Sequence, residues 1–129
     1  MIRAVLDASA LLALMLDEKG AERVAAYGDH VAMASLNVGE VAAIYARRGV
    51  DDARIAARLK TLPFDVVPLD RDLAIEAGLL GSRTRRFGLS LGDRVCLCLA
   101  RRLGVVAVTA DRVWAKAAAE LDVAVELIR

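Results

Sequence analysis

Five short apolar runs occur along the chain, separated by longer segments in which apolar side chains recur every three or four residues. Short apolar runs bounded by turn residues are typical of buried strands, whereas the longer period indicates amphipathic helices. The predicted strands are residues 4–6, 31–34, 64–67, 105–108 and 123–127. Strands that alternate with helices favour a three-layer α/β/α domain around a mainly parallel five-stranded sheet.

The boundaries of the predicted helices follow from capping residues. The residues that begin the helical segments can accept hydrogen bonds from a first helical turn, and those that end them are glycines, which tolerate left-handed backbone. They are Ser9, Ser35, Asp51, Asp70 and Ser90 at the starts, and Gly28, Gly49 and Gly104 at the ends. The predicted helices are residues 9–16, 19–27, 35–48, 51–62, 90–103 and 111–121, with one more long helix from residue 70.

The length and composition fit one domain without a membrane segment. The 129 residues match a single domain and contain no linker-like stretch, so residues 1–129 are expected to form one unit. Hydrophobic residues make up 57% and aromatic residues 4%, which suits helices packed on a sheet better than a β-sandwich. The apolar stretch at residues 8–16 is shorter than the roughly 20 residues that span a bilayer. No basic signal-peptide leader precedes it, so a cytoplasmic location is expected.

The cysteines and the net charge are unexceptional, but one segment is strongly basic. Cys96 and Cys98 lie two apart in an apolar helical pattern without a second ligand pair for zinc, and are expected in the core. Eighteen basic and seventeen acidic residues give a net charge of +1, which does not itself indicate nucleic-acid binding. Between Arg83 and Arg102, six arginines accompany one carboxylate, Asp93. This segment predicts either a local surface for phosphate or a solvated helix face.

Two aspartates follow predicted strands. Asp7 comes directly after the first strand, and Asp111 comes shortly after the fourth. In open α/β sheets, ligands bind outside the carboxyl ends of strands where the strand order reverses, and right-handed crossovers can place these two strands side by side. Each aspartate has a neighbouring hydroxyl, Ser9 or Thr109, that can position water or a ligand. Asp7 and Asp111 are therefore predicted to flank one site.

Two further carboxylates lie near the starts of predicted helices. Glu40 lies in the helix after the second strand, and Asp93 follows Ser90 in the acidic position of a capping box. Four converging carboxylates repel one another unless a divalent cation balances their charge. Oxygen ligands without nearby His or Cys favour Mg²⁺ or Mn²⁺ over zinc. Such a site favours metal-assisted hydrolysis of a phosphodiester.

Each of these carboxylates alone also fits an ordinary structural role. Asp7 can be a turn residue, and Glu40 can be a solvated helix residue. Asp93 can be a partner of the helix dipole, and Asp111 can be an N-cap. For Glu40 and Asp93 taken singly, the structural role is the stronger interpretation. The four together favour the catalytic one, because a scaffold has no physical reason to crowd anions.

Four short motifs contain the four carboxylates. They are VLDASAL at 5–11, NVGEV at 37–41, LSLGDR at 89–94 and VTADRVW at 108–114. The carboxylates are separated by 33, 53 and 18 residues. In their order and spacing the motifs resemble the PIN-domain family, and within it the VapC-type toxins of type II toxin–antitoxin systems. The resemblance spans essentially the whole chain.

This resemblance implies a fold, an activity and partners. The implied fold is a parallel sheet with strand order 3-2-1-4-5, and the implied activity is metal-dependent endoribonuclease cleavage, with water activated by Mg²⁺ or alternatively Mn²⁺. The implied partners are an RNA substrate, a second copy of the chain in a homodimer, and a cognate antitoxin that covers the active site. The residues that match the family's acidic catalytic and metal-binding positions are Asp7, Glu40, Asp93 and Asp111, with Ser9 and Thr109 as supporting hydroxyls. Of these, Asp7 and Asp93 are the expected direct ligands.

Other residues follow from the resemblance less directly. The segment around Glu40 departs most from the family pattern, and Trp114 stands where phenylalanine is frequent and is expected to pack in the core. The candidates for contacts with RNA phosphates are Arg83, Arg85, Arg86 and Arg112. No motif determines that assignment.

Three other functions stay open from the residues alone. An aspartate after a first strand can be the nucleophile of a phosphotransferase or phosphatase, but such reactions usually need a lysine, and only Lys19, Lys60 and Lys116 are present. The only histidine, His30, lies beside Asp29 and fits a polar loop better than Ser-His catalysis. The third alternative is a catalytically silent PIN-like module that binds RNA or protein.

Overall fold

Five parallel strands form one sheet in the order β3-β2-β1-β4-β5 in a computed structural model that describes residues 1–129. The strands are β1 Ala4–Leu6, β2 Val31–Ala34, β3 Asp65–Val67, β4 Val106–Thr109 and β5 Val125–Leu127. Every neighbouring pair is parallel, with Ala4 opposite Val31 and Leu6 opposite Val108. The expected strand order is confirmed. The chain leaves β1 on one side and returns on the other, which places the switch point between β1 and β4.

Seven α-helices and one 3₁₀ turn connect the strands. They are α1 Ala8–Leu16, α2 Ala21–Ala25, α3 Ser35–Arg47, α4 Asp52–Lys60, α5 Arg71–Arg83, the 3₁₀ turn Arg85–Phe87, α6 Leu91–Leu103 and α7 Val113–Leu121. Asp51, Asp70 and Ser90 cap α4, α5 and α6 as predicted. Ser35 is not a cap, because its hydroxyl accepts a hydrogen bond from the Leu69 amide (3.0 Å). This contact ties the start of α3 to the segment after β3.

Helices cover both faces of the sheet. Val5 of β1 and Ala107 of β4 pack in a cluster with α5, α6 and α7, whereas Leu6 and Val108 pack in a second cluster with α1, α2 and α3. Successive side chains of a strand point to opposite faces, so a strand covered on both faces must be apolar throughout. This explains the continuous apolar runs in the sequence, and the three-layer α/β/α prediction is confirmed.

Both cysteines and the only tryptophan are core residues. Cys96 and Cys98 are buried unpaired thiols of α6, and Trp114 of α7 is fully buried in the same cluster. Helix α6 is buried continuously from residue 95 to residue 100. None of the helices combines the length and the apolar character that crossing a bilayer requires.

Leu97→Ala is expected to destabilise the protein much more than Leu103→Ala. Leu97 is fully buried in the middle of α6, whereas Leu103 at the end of the same helix is 38% exposed. A cavity left by a buried leucine costs about 2–5 kcal/mol, against about 1 kcal/mol or less at a partly exposed position. Urea unfolding followed by the fluorescence of Trp114 measures both losses. Equal losses would contradict the burial assigned to α6.

Candidate functional site

The four predicted carboxylates lie at the carboxyl end of the sheet and at adjacent helix starts. Asp7 directly follows β1, Asp111 lies two residues beyond β4, and these two strands are hydrogen-bonded neighbours. Glu40 lies on α3, which begins where β2 ends, and Asp93 is the third residue of α6. Two of the carboxylates are thus positioned by strand ends, Asp93 by the first turn of α6 and Glu40 by the second turn of α3.

Asp7 is a buried carboxylate with three hydrogen-bond donors. It, rather than Ser9, is the N-cap of α1: its Oδ1 accepts from the Ala10 amide (2.8 Å) and from the Ser9 hydroxyl (2.7 Å). Its Oδ2 accepts from Thr109 Oγ1 (2.6 Å). Only 5% of Asp7 is exposed. Burial raises its pKa from the ordinary 3.8 to about 6, because removal from water disfavours the charged form more than the donors stabilise it.

The hydroxyls of Ser9 and Thr109 connect the turn after β1 to the turn after β4. Thr109 Oγ1 donates to Asp7 and accepts from the Asp111 amide (3.0 Å). Ser9 Oγ donates to Asp7 and accepts from the Ala110 amide (2.9 Å). Each hydroxyl therefore acts as both donor and acceptor. The two residues predicted to support the site hold Asp7 and the backbone of Asp111 in one network.

Asp93 joins the site through the first turn of α6. Its Oδ2 accepts from the Ser90 amide (3.0 Å) while Ser90 Oγ accepts from the Asp93 amide (3.1 Å), so the predicted capping box is confirmed. Burial raises the pKa of Asp93, and the charge of Asp111 adds to the effect. The charge of Asp93 likewise contributes to the raised pKa of Asp7. Asp111 is exposed and accepts a hydrogen bond from the Val113 amide (3.0 Å).

Glu40 reaches the site through a contact that spans 52 positions of the chain. Its carboxylate lies against Gly92, where an added Cβ would be 2.7 Å from Glu40 Cδ. Asn37, one turn earlier on α3, donates through Nδ2 to Glu40 Oε1 (2.7 Å) and to the Gly92 carbonyl (3.0 Å). Since Gly92 precedes Asp93, Glu40 lies beside the helix start that carries Asp93. The sequence prediction missed Asn37, although its spacing of three residues from Glu40 places both on one helix face.

The site has an excess of negative charge. The four carboxylates take part in none of the five ion pairs of the structure. The thiol of Cys96 lies in the same electrostatic field. Burial raises its pKa strongly, and the charges of Asp7, Asp93 and Glu40 each raise it further. Three of the carboxylates are therefore close enough to act on one buried group.

The donor set suits a hard divalent cation, although the side chains do not converge on a single point. All four are carboxylates, which Mg²⁺ and Mn²⁺ prefer, and Asp93 Oδ1 and Asp111 Oδ2 accept no hydrogen bond from the protein. The structure contains no group of three or more Asp, Glu, His or Cys side chains placed to hold one ion. The arrangement therefore fits an ion bound by one or two carboxylates and several waters, as is usual for Mg²⁺.

The basic segment does not form a continuous surface beside the carboxylates. Arg94, Arg101 and Arg102 bind acceptors in α5 or at its N-cap, and so hold α6 against α5. Arg83 and Arg86 both contact Glu120. Glu120 lies near the end of α7, about 10 Å along that helix from its start.

The two remaining arginines of interest, Arg85 and Arg112, are exposed and form no ion pair. Arg112 directly follows Asp111 and precedes α7. Arg112 therefore has an unpaired guanidinium next to Asp111 in the chain, whereas the guanidinium groups of Arg83 and Arg86 contact Glu120.

The residues required by the alternative chemistries lie apart from the site. His30 is exposed, and its Nε2 lies 3.6 Å from Asp29 Oδ1. It directly precedes β2, at the amino end of the strands. No lysine donates a hydrogen bond to Asp7, whose donors are two hydroxyls and one backbone amide. Neither Ser-His catalysis nor phosphotransfer from Asp7 gains support from this arrangement.

Comparison with known proteins identifies the family. The family model of the PIN domain matches residues 4–120, and the chain therefore belongs to the PIN domain family. A search of curated proteins returned no match.

Several solved structures share the fold. A chain of the DNA-bound VapBC complex from Salmonella typhimurium is 18% identical to this chain, and the match covers all of both chains with a TM-score of 0.75. VapC20 from Mycobacterium tuberculosis, described as a sarcin-ricin loop cleaving toxin, is 21% identical over 88% of this chain and 94% of its own, with a TM-score of 0.72. PAE2754 from Pyrobaculum aerophilum is 27% identical over 87% of this chain and 82% of its own, with a TM-score of 0.63. The predicted resemblance to the VapC-type fold is confirmed.

The buried carboxyl of Asp7 predicts that the metal-free protein loses stability as pH rises from 4 to 6. In this range the folded state keeps the proton of Asp7 while the unfolded state has lost it, so deprotonation opposes folding. The difference between 3.8 and about 6 corresponds to about 3 kcal/mol above pH 6. In chelator, Asp7→Asn is expected to be more stable than the wild type at pH 7.5, with no advantage at pH 4. Urea unfolding across this range measures the effect, and a wild-type advantage at pH 7.5 would contradict it.

Proposed function

We propose that the protein is a Mg²⁺-dependent endoribonuclease and the toxin component of a type II toxin–antitoxin system. The observation that carries the proposal is the carboxylate cluster at the carboxyl end of the sheet, in which two hydroxyls hold the buried Asp7 and no carboxylate forms an ion pair. Membership of the PIN domain family supports it, and PIN-domain nucleases generally use divalent metals. We place this activity in one domain, residues 1–129, and in the cytoplasm, where RNA substrates are available.

In this proposal the acidic residues divide into ligands and supports. Asp7 and Asp93 would bind the cation most directly, and Asp111 and Glu40 would complete the negative surface around it. Ser9 and Thr109 keep Asp7 oriented. Bound Mg²⁺, or Mn²⁺ in its place, would supply an activated water and stabilise the leaving oxygen of the phosphodiester.

The proposed partners follow from the related structures and the surface charges. Solved structures that share the fold include toxin–antitoxin complexes, so we propose a cognate antitoxin that covers the acidic site, together with a homodimer of this chain. The four arginines that are candidates for holding RNA phosphates are Arg83, Arg85, Arg86 and Arg112. Arg85 and Arg112 are expected to contribute more than the two arginines that Glu120 engages.

Asp7→Asn is expected to abolish the cleavage of RNA without unfolding the protein. Removal of the charge of Asp7 weakens cation binding, and the loss of rate should be about 100-fold or more. The test is incubation of a mixed RNA pool with wild type, Asp7→Asn and Asp72→Asn, with Mg²⁺ and with chelator. Asp72 is an exposed residue of the first turn of α5 and serves as the matched control.

Cleavage by the wild type and by Asp72→Asn that occurs with Mg²⁺ and not with chelator would support the proposal. Cleavage that survives chelator or Asp7→Asn would contradict it. Inactivity of the folded, metal-supplied wild type on every RNA would instead favour a PIN module that binds RNA or protein without catalysis.

Arg112→Ala is expected to weaken RNA binding more than Arg86→Ala. Arg112 is unpaired beside Asp111, whereas Glu120 engages Arg86. Loss of one phosphate contact should reduce the slope of log Kd against log salt concentration by about 1. The measurement is RNA binding by both variants in an Asp7→Asn background at several salt concentrations. Equal slopes for the two variants would contradict the assignment.

A further inference from the structure

Asn37 is the only side-chain amide in the protein, because the sequence has no other asparagine and no glutamine. It lies in the first turn of α3 and is 1% exposed. Its Nδ2 group bridges two acceptors on different helices, Glu40 Oε1 (2.7 Å) and the Gly92 carbonyl (3.0 Å). The single amide of the chain thus contacts both a carboxylate of the site and the residue before Asp93.

The orientation of this amide is determined by its partners. Both neighbours are acceptors, so a flipped amide would direct its oxygen at two other oxygens and lose both hydrogen bonds. In the observed orientation, Asn37 Oδ1 is buried and has no hydrogen-bond partner. A buried unpaired carbonyl oxygen lowers stability. An amide at this position is therefore explained by the two hydrogen bonds that it donates rather than by the stability of the core.

We infer that Asn37 is a positioning residue that holds the Glu40 carboxylate at the acidic site and joins α3 to the first turn of α6. This inference rests on the proposed nuclease function. Without the bridge, Glu40 keeps its place on the helix, but no donor orients its carboxylate. The contact of Glu40 with Gly92 shows how little space that orientation has, since even a Cβ at Gly92 would be 2.7 Å from Glu40 Cδ.

The first test is Asn37→Leu, which keeps the branched shape of the side chain and removes both donors. We expect the kcat for RNA cleavage to fall about 10- to 100-fold with little change in KM, because partners that orient site residues have effects of that size. The melting temperature should not fall, because the unpaired Oδ1 is removed as well. The control is Thr84→Val, which removes a buried hydrogen bond of Thr84 Oγ1 to the Leu80 carbonyl (2.8 Å) and should leave kcat unchanged.

A double-mutant cycle with Glu40→Met separates positioning from a structural role. If Asn37 acts through Glu40, the double variant Asn37→Leu/Glu40→Met should be no slower than Glu40→Met alone. Losses that multiply in the double variant would overturn the inference, and so would a wild-type kcat in Asn37→Leu.

A readout independent of catalysis comes from NMR. An amide ¹H–¹⁵N spectrum should contain one side-chain NH₂ pair, which belongs to Asn37. The pair should exchange slowly with water, and should shift both in Glu40→Met and on addition of Mg²⁺. Methionine is used because glutamine would add a second pair.

The spectrum also distinguishes failure of this inference from failure of the proposed nuclease. If the wild type cleaves no RNA, slow exchange and both shifts would still support the contact with Glu40 and the cation. A fast-exchanging pair that responds to neither Glu40→Met nor Mg²⁺ would overturn it.

Discussion

The buried carboxyl group of Asp7 determines how the acidic site is organised. A carboxylate that is 5% exposed is stable in its charged form only when donors and counter-charge compensate for lost water. The protein supplies the donors through Ser9, Ala10 and Thr109, and these contacts hold the turns after β1 and β4 together. It supplies no cationic side chain, and the pKa of Asp7 stays raised, at about 6. A bound cation would supply the missing charge.

Strand pairing and core packing place the four carboxylates of the site. Parallel pairing of β1 with β4 brings Asp7 and Asp111 to one edge, and the apolar faces of the sheet fix the helices that carry Glu40 and Asp93. Arg94 holds the start of α6, beside Asp93, against α5, and Arg101 and Arg102 hold its last turn. Much of the basic segment therefore stabilises the scaffold rather than facing an RNA substrate.

Features that depend on a local pattern or on the motifs of the family were predictable from the sequence, and individual side-chain contacts between distant residues were not. The sheet order was implied by the resemblance to the family, and the capping box at Asp93 follows from a spacing of three residues. The N-cap of α1 was predicted at Ser9, although Asp7 occupies it, because both are good caps and only the tertiary network distinguishes them. The bridge from Asn37 to Gly92 was missed because it spans 55 positions between two helices.

Titration with Mn²⁺ followed by electron paramagnetic resonance measures whether the acidic cluster binds a divalent cation. We expect saturable binding of Mn²⁺ to the wild type, at least about 10-fold weaker binding to Asp93→Asn, and competition by Mg²⁺. Equal affinity of the wild type and Asp93→Asn for Mn²⁺, or no binding by the folded wild type, would contradict this expectation.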